Sequence, residues 1–178
     1  MTSRAAALWV ALAVGVVVLA GLWFAEPVAP PIRPGQPAPS FALPRLDAGS
    51  LALESLRGRV VLVNFWATWC KPCLDEMPAM ERLYASLSPR GFELLAVSVD
   101  AGPDEVRAFR DQLSLSFPIL LDPEKRVSSA YQSYRYPESY LIDAAGRIVS
   151  RYIGPRDWDA PIYRERIEQL LDESPTGG

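Results

Sequence analysis

The stretch Val61–Pro78, VLVNFWATWCKPCLDEMP, decides how this chain is read. It opens inside RVVLVNFWA (59–67), a continuous apolar run rich in β-branched residues. That composition predicts a strand buried on both faces. Beyond it Leu74, Met77, Met80, Leu83, Tyr84 and Leu87 recur at helical spacing. A helix is therefore expected from Leu74 to Ser88, interrupted and kinked at Pro78. Between strand and helix stand Cys70 and Cys73, the only cysteines of the 178 residues, and the chain has no histidine.

Those two counts exclude much chemistry. Two cysteines cannot supply an all-thiolate tetrahedral zinc set. Covalent haem attachment wants C-x-x-C-H, and Leu74 follows Cys73. A Ser-His or Cys-His nucleophile pair is impossible without an imidazole. No metal or cofactor is expected. Lys and Arg number 18 against 21 Asp and Glu, so no basic excess exists to neutralise phosphates, and nucleic acid is not an expected partner.

What remains is thiol chemistry. A free Cys titrates near pH 8.5, leaving only about 3% thiolate at pH 7. Cys70 falls where the strand ends and the helix begins, and the amides and dipole of a helix N-terminus favour an anion. Lowering the pKa to about 7 raises the thiolate fraction to about half. Lys71 adds a neighbouring positive charge. Pro72 suits a first helical turn, which needs no N–H. Cys73 follows one turn later, within reach of Cys70 for a disulfide. As an inert staple so short a loop contributes about 2 kcal/mol, against about 4.7 for a hundred-residue loop. A redox-active pair is the expected reading.

Upstream, Ala5–Ala25 runs for 21 residues without a charge. As a helix it spans roughly 30 Å, the thickness of a bilayer's hydrocarbon core. Trp9 and Trp23 lie near its ends, where indoles favour the interface. It is longer than a signal peptide's apolar region, and GLWFAEP is a poor cleavage site. The expectation is one retained transmembrane helix over 5–25, in contact with lipid. With Arg4 before it, residues 1–4 are cytoplasmic and the remainder extracytoplasmic. Residues 26–39 carry six prolines from Pro27 to Pro39, a semi-rigid spacer. A domain over 40–173 and a disordered tail over 174–178 follow.

Within that domain, FALPRLDAGSLALESLRG predicts a hairpin turning at Asp47-Ala48-Gly49. GFELLAVSVD and FPILLD read as strands, PDEVRAFRDQL as a helix opened by Pro103, and PEKRVSSAYQ as a short helix. ESYLIDAAGRIVSRYIG reads as a second hairpin turning at Ala144-Ala145-Gly146. DWDAPIYRERIEQLLDE, 157–173, closes the chain as a helix. Alternating strands and helices followed by an antiparallel hairpin imply an α/β fold, a mixed sheet with helices on both faces.

VLVNFWATWCKPCLDEMP also resembles the strand–W-C-x-x-C–helix element of the thioredoxin superfamily, including a proline five residues after the second cysteine. With the apolar N-terminus and the approach GQPAPSFALPRLDAGSLALESLRGRVVLVNFWATWC, the chain resembles the membrane-anchored TlpA/ResA/CcmG-like (DsbE-like) group. The resemblance implies a thioredoxin-like three-layer sandwich with an N-terminal β-hairpin and a central helical insertion. It implies a thiol-disulfide oxidoreductase, mostly a reductant, at the periplasmic side of the inner membrane. Its implied partners are a disulfide-containing exported protein, apocytochrome c among the candidates, and a membrane dithiol donor; the chain is expected to be a monomer.

Site residues follow by position. Cys70 is the implied nucleophile and Cys73 the resolving thiol. Pro137, in YRYPESYLID, matches the superfamily's cis-proline, leaving Tyr136 to pair with an extended substrate. Glu138 resembles the acid of a P-E-T stretch and is a candidate tuning residue. Glu76 resembles the glutamate three residues after the second cysteine in ResA-type members. That spacing puts it on the Cys73 face of the helix as a candidate proton relay. The plain alternative is an ordinary surface acid in a first turn. Asn64 stands where thioredoxin has a buried aspartate, and an amide cannot take a proton from the resolving thiol. Trp69 and Pro72 complete the candidate substrate contacts, although Trp66 and Trp69 also suit packing and shielding; Asp75 suits the surface. Two rival functions are a thioredoxin-like peroxidase and a tethered docking or holdase domain with a static disulfide. Against the first, Ala67 stands where a peroxiredoxin's threonine would precede Cys70.

Overall fold

Strand β3, Val60–Trp66, is buried along its whole length, as its unbroken apolar run requires. Its side chains alternate between two cores. Val60, Leu62 and Trp66 enter one core, while Val61, Val63 and Phe65 enter the other. The computed structural model that reveals this describes residues 2–23 and 30–174. It divides into two compact units, Met1–Pro31 and Ile32–Gly178.

The first unit holds helix α1, Thr2–Trp23. Its described apolar side chains, among them Leu8, Trp9, Leu12, Val17 and Trp23, are exposed. Side chains at 2, 3, 5, 6, 18, 21 and 22 are outside the description. Among the described residues no helix is long and apolar enough to cross a membrane. The end of the expected anchor (24–25), spacer residues 26–29, Met1 and tail residues 175–178 lie outside the described residues.

In the second unit β1 (Ala42–Pro44) and β2 (Ser50–Ala52) pair antiparallel as the expected hairpin. The main sheet adds β4 (Phe92–Ser98), β5 (Ile119–Leu121), β6 (Glu138–Ile142) and β7 (Ile148–Ile153), in the order β5-β4-β3-β6-β7. β3 pairs parallel with β4 and antiparallel with β6, so the sheet is mixed. Helix α2 (Lys71–Leu87), α3 (Pro103–Leu113) and α5 (Pro161–Glu173) contribute to the core on one face. The β1–β2 hairpin and the segment of α4 (Arg126–Ala130) cover the other.

Three boundaries differ from expectation. Helix α2 begins at Lys71 rather than Leu74, because Cys70 caps it and Pro72 fits its first turn. The segment expected as spacer through Pro39 is held against β7 and its turn from Gly35 onward. Gly35 N–H donates to Ile148 O (2.7 Å) and Ala38 N–H to Gly146 O (3.0 Å). Helix α5 starts at Pro161 instead of Asp157, leaving Trp158 in the preceding loop and buried. The turn at Gly146 favours glycine: φ is +77°, in the left-handed region, and a Cβ there would have to displace the Arg57 guanidinium, whose nearest nitrogen would lie 1.1 Å away.

Leu62 is fully buried at the centre of the sheet, beneath α2. Leu62→Ala is expected to destabilise the protein by about 2–5 kcal/mol, lost transfer energy plus cavity. The check is a lower denaturant midpoint with an unchanged slope.

Candidate functional site

Cys70 is the N-cap of α2, in extended backbone at the end of the loop that leaves β3. Cys70 and Cys73 form a disulfide with Cα atoms 5.3 Å apart. The Cys73 N–H donates to Cys70 Sγ at 3.3 Å, so an amide of the first helical turn already addresses this sulfur. Cys70 keeps 7% of its surface, whereas Cys73 has none. A partner can therefore approach Cys70 first. Lys71 is ion-paired with Asp75 one turn along, and both are exposed. This pairing diverts the lysine's charge from Cys70, and such a surface pair adds little stability.

The loop before Cys70 is fastened from β4's end. The Asp100 carboxylate accepts from the Thr68 N–H (3.0 and 3.1 Å), the Thr68 hydroxyl (2.7 Å) and the Ser98 hydroxyl (2.8 Å). Trp69 follows, 65% exposed, edge-on to Tyr136 with ring centroids 5.9 Å apart. Trp66 points the other way, into the core against Phe109. The Tyr136–Pro137 bond is cis, as the resemblance implied. Trp69 and Tyr136 thus stand together beside the cysteines, and Pro72 lies in the first turn of α2.

Glu76 is only 4% exposed, not a surface acid. Its Oε1 accepts from Asn64 Nδ2 at 2.9 Å; its Oε2 accepts from the Arg156 N–H (3.0 Å) and Trp158 Nε1 (3.1 Å). Asn64 Nδ2 donates as well to Ser139 Oγ at 2.9 Å, while Asn64 Oδ1 is buried without a partner. Burial pushes the Glu76 carboxyl up to about 7; the three donors and the Arg156 guanidinium pull the other way. Glu76 also lines a groove of about 390 Å³ whose walls include Pro72, Asp75, Arg82 and Asp157.

Glu138 is placed differently. It pairs in register with Phe65, so it lies on the sheet face away from Asn64, Ser139 and Glu76. It is 1% exposed and ion-paired with Arg151 at 2.5 Å, which also donates to Gln132 O. The structure therefore separates the two candidate acids. Sequence reasoning passed over Asp100, Arg156 and Trp158, each distant in the chain from the residue it contacts. A tryptophan between two acids, in Asp157-Trp158-Asp159, was the one available signal. Among the described residues no group of three acids and cysteines is gathered to hold a metal.

The AhpC/TSA family model matches residues 34–151. The chain belongs to the AhpC/TSA family. A thioredoxin-like protein, YneN, of Bacillus subtilis is 39% identical over 144 residues, covering 79% of this chain and 80% of that protein. The thiol-disulfide oxidoreductase ResA of Bacillus anthracis is 37% identical over 137 residues, covering 77% and 76%. Among solved structures, a Chlorobium tepidum thiol:disulfide interchange protein provisionally named DsbE superposes with a TM-score of 0.70. It is 32% identical and covers 80% of this chain and 98% of its own. This AhpC/TSA member has a thioredoxin-like α/β fold and is a thiol-disulfide oxidoreductase of the ResA/DsbE type, with a C-x-x-C pair.

The sign of the Glu76 shift makes a stability prediction. A carboxyl that binds its proton more tightly when folded stabilises the protein fully below its unfolded value, 4.5, and loses that contribution as pH rises through about 7. The loss amounts to about 3 kcal/mol. No histidine titrates in this window. Denaturant titrations of the oxidised protein from pH 4 to 8 should show stability falling across it, and Glu76→Gln should flatten the fall.

Proposed function

We propose that this protein is a membrane-tethered reductant of disulfides in exported proteins, serving cytochrome c maturation or a related assembly at the periplasmic side of the inner membrane. The observation that carries the reading is the asymmetry of the pair. Cys70 is reachable at the cap of α2, and Cys73 is sealed one turn above a buried carboxyl that titrates near neutrality.

The reaction runs as thiol-disulfide exchange. The Cys70 thiolate attacks one sulfur of the substrate disulfide; that S–S bond breaks, and the departing substrate thiolate takes up a proton. Glu76 accepts the Cys73 proton by way of intervening groups or water. The Cys73 thiolate then attacks Cys70, forming the internal disulfide and releasing the second substrate thiolate, which takes the proton in turn. Two electrons have moved from the protein dithiol to the substrate. A membrane dithiol donor returns them by the same exchange in reverse. Trp69 and Tyr136 offer an aromatic rim to an extended chain, with Pro137 and Pro72 shaping the approach to Cys70; Glu138, next to Pro137, holds Arg151 of β7.

The reductive direction draws support from charge. An ionised Glu76 near the dithiol disfavours thiolates, which favours the disulfide and lowers the potential. The anchor over 5–25 draws support from the unbroken apolar composition of that segment, 21 residues without a charge. Tethering through the proline-rich segment before Gly35 keeps the domain near its donor and raises their effective concentration. The peroxidase alternative is disfavoured. Buried Ala67 offers no hydroxyl, and the Thr68 hydroxyl is committed to Asp100.

Cys73→Ser in the full chain is expected to accumulate a mixed disulfide through Cys70, captured from membranes and released by dithiothreitol. A variant that frees its substrate as fast as the unmodified protein would refute the resolving role. Unchanged Cys70 alkylation before and after reduction would favour a static staple.

A further inference from the structure

Trp158 reaches the site from the loop between β7 and α5, 82 residues beyond Glu76. Its indole is 1% exposed and enclosed by two rings, Tyr152 of β7 at 5.5 Å and Tyr163 of α5 at 5.2 Å. The two tyrosines also meet each other edge-on at 5.5 Å. Three mutually packed rings leave the indole little freedom to turn. Its single polar atom, Nε1, is thereby aimed at Glu76 Oε2.

An indole N–H can donate but not accept. It stabilises a carboxylate and offers nothing to the proton of a neutral carboxyl. The same holds for the Arg156 N–H on the same oxygen. The charged groups around Glu76 are few. The Arg156 guanidinium is turned to the carbonyls of Ile153, Gly154 and Pro155. Asp75, Arg82 and Asp157 line the adjoining groove. β3 and β6 present only uncharged Asn64 and Ser139. Cys73 lies one turn away on α2 and is part of the disulfide.

We propose that Trp158 is a positioning residue for the exchange reaction: its ring-clamped N–H holds the Glu76 carboxylate and favours the ionised form, and so sets the pH at which Cys73 can give up its proton. This rests on the reading of Glu76 as proton acceptor. It assigns to the β7–α5 loop a part in the chemistry, although the loop supplies no reacting atom. Substitutions there are expected to retune the pH range while leaving the cysteines and the substrate rim unchanged.

The test uses the full chain in detergent. Trp158→Phe keeps an aromatic ring and removes the N–H. Two quantities are followed from pH 5 to 9: the Glu76 side-chain carboxyl titration by carbon-13 NMR in the oxidised protein, and the rate at which the reduced protein reduces a small aromatic disulfide. Both midpoints are expected to move up by about one pH unit in Trp158→Phe, as loss of one hydrogen bond to a charged group implies. The rate plateau above them should stay within about twofold, and Glu76→Gln should abolish the kinetic midpoint. An unmoved carboxyl titration in folded Trp158→Phe overturns the proposal and leaves the Glu76 reading standing. A carboxyl titration that moves in Trp158→Phe without a matching move in its rate profile overturns the proposal, and a kinetic midpoint that persists in Glu76→Gln overturns the Glu76 reading and the proposal with it. Should Trp158→Phe not fold, the unsubstituted protein decides. Its Trp158 Nε1–H resonance should follow the Glu76 titration, and a resonance constant from pH 5 to 9 overturns the proposal.

Discussion

A single polar side chain lies in the middle of the strand on which the domain is built. Asn64 sits in β3 with apolar neighbours on both faces of the sheet, and a buried amide must find partners or cost stability. Its N–H groups find Glu76 on α2 and Ser139 on β6. That bond fastens the first turns of α2 to the strand. Cys73, one turn nearer the helix start, is buried in the core beneath the helix, and Cys70 stands at the cap where partners can arrive. The two chemically identical thiols thus differ in exposure, beside a strand amide whose N–H groups are bound to α2 and β6.

Three carboxyls of the site are buried, and their surroundings set them apart. Glu138 faces the Arg151 guanidinium, which donates to it. Asp100 gathers the hydroxyls and amide of Thr68 and Ser98, fixing the loop that presents Trp69 and Cys70. Glu76 receives donors but no close ion pair, so burial outweighs hydrogen bonding and its proton becomes exchangeable near neutrality. A group that exchanges a proton near working pH is suited to proton transfer.

Much of this was legible in the chain. The continuous run before Cys70, the spacing of Leu74, Met77, Met80 and Leu83, and Pro72 in the first turn announced strand, cap and helix. Each is a local pattern with a local physical cause. The paired hairpin strands around Asp47-Ala48-Gly49 were legible for the same reason. The start of α5 was not. Asp157 and Trp158 have nothing in their neighbours to keep them out of a helix; packing of the indole between Tyr152 and Tyr163 does so.

By itself the sequence determined the strand–cap–helix order that sets a sulfur against helical amides, and the absence of imidazole that leaves thiols and carboxyls as the reactive groups near it. Tertiary structure alone decided which carboxyl lies on the Cys73 side of the sheet. Glu76 and Glu138 look alike in a string of letters, and strand register and alternation send them to opposite faces of one sheet. The acidity of a side chain depends on water removed and donors supplied, and here Arg156 and Trp158 supply donors from the far end of the fold.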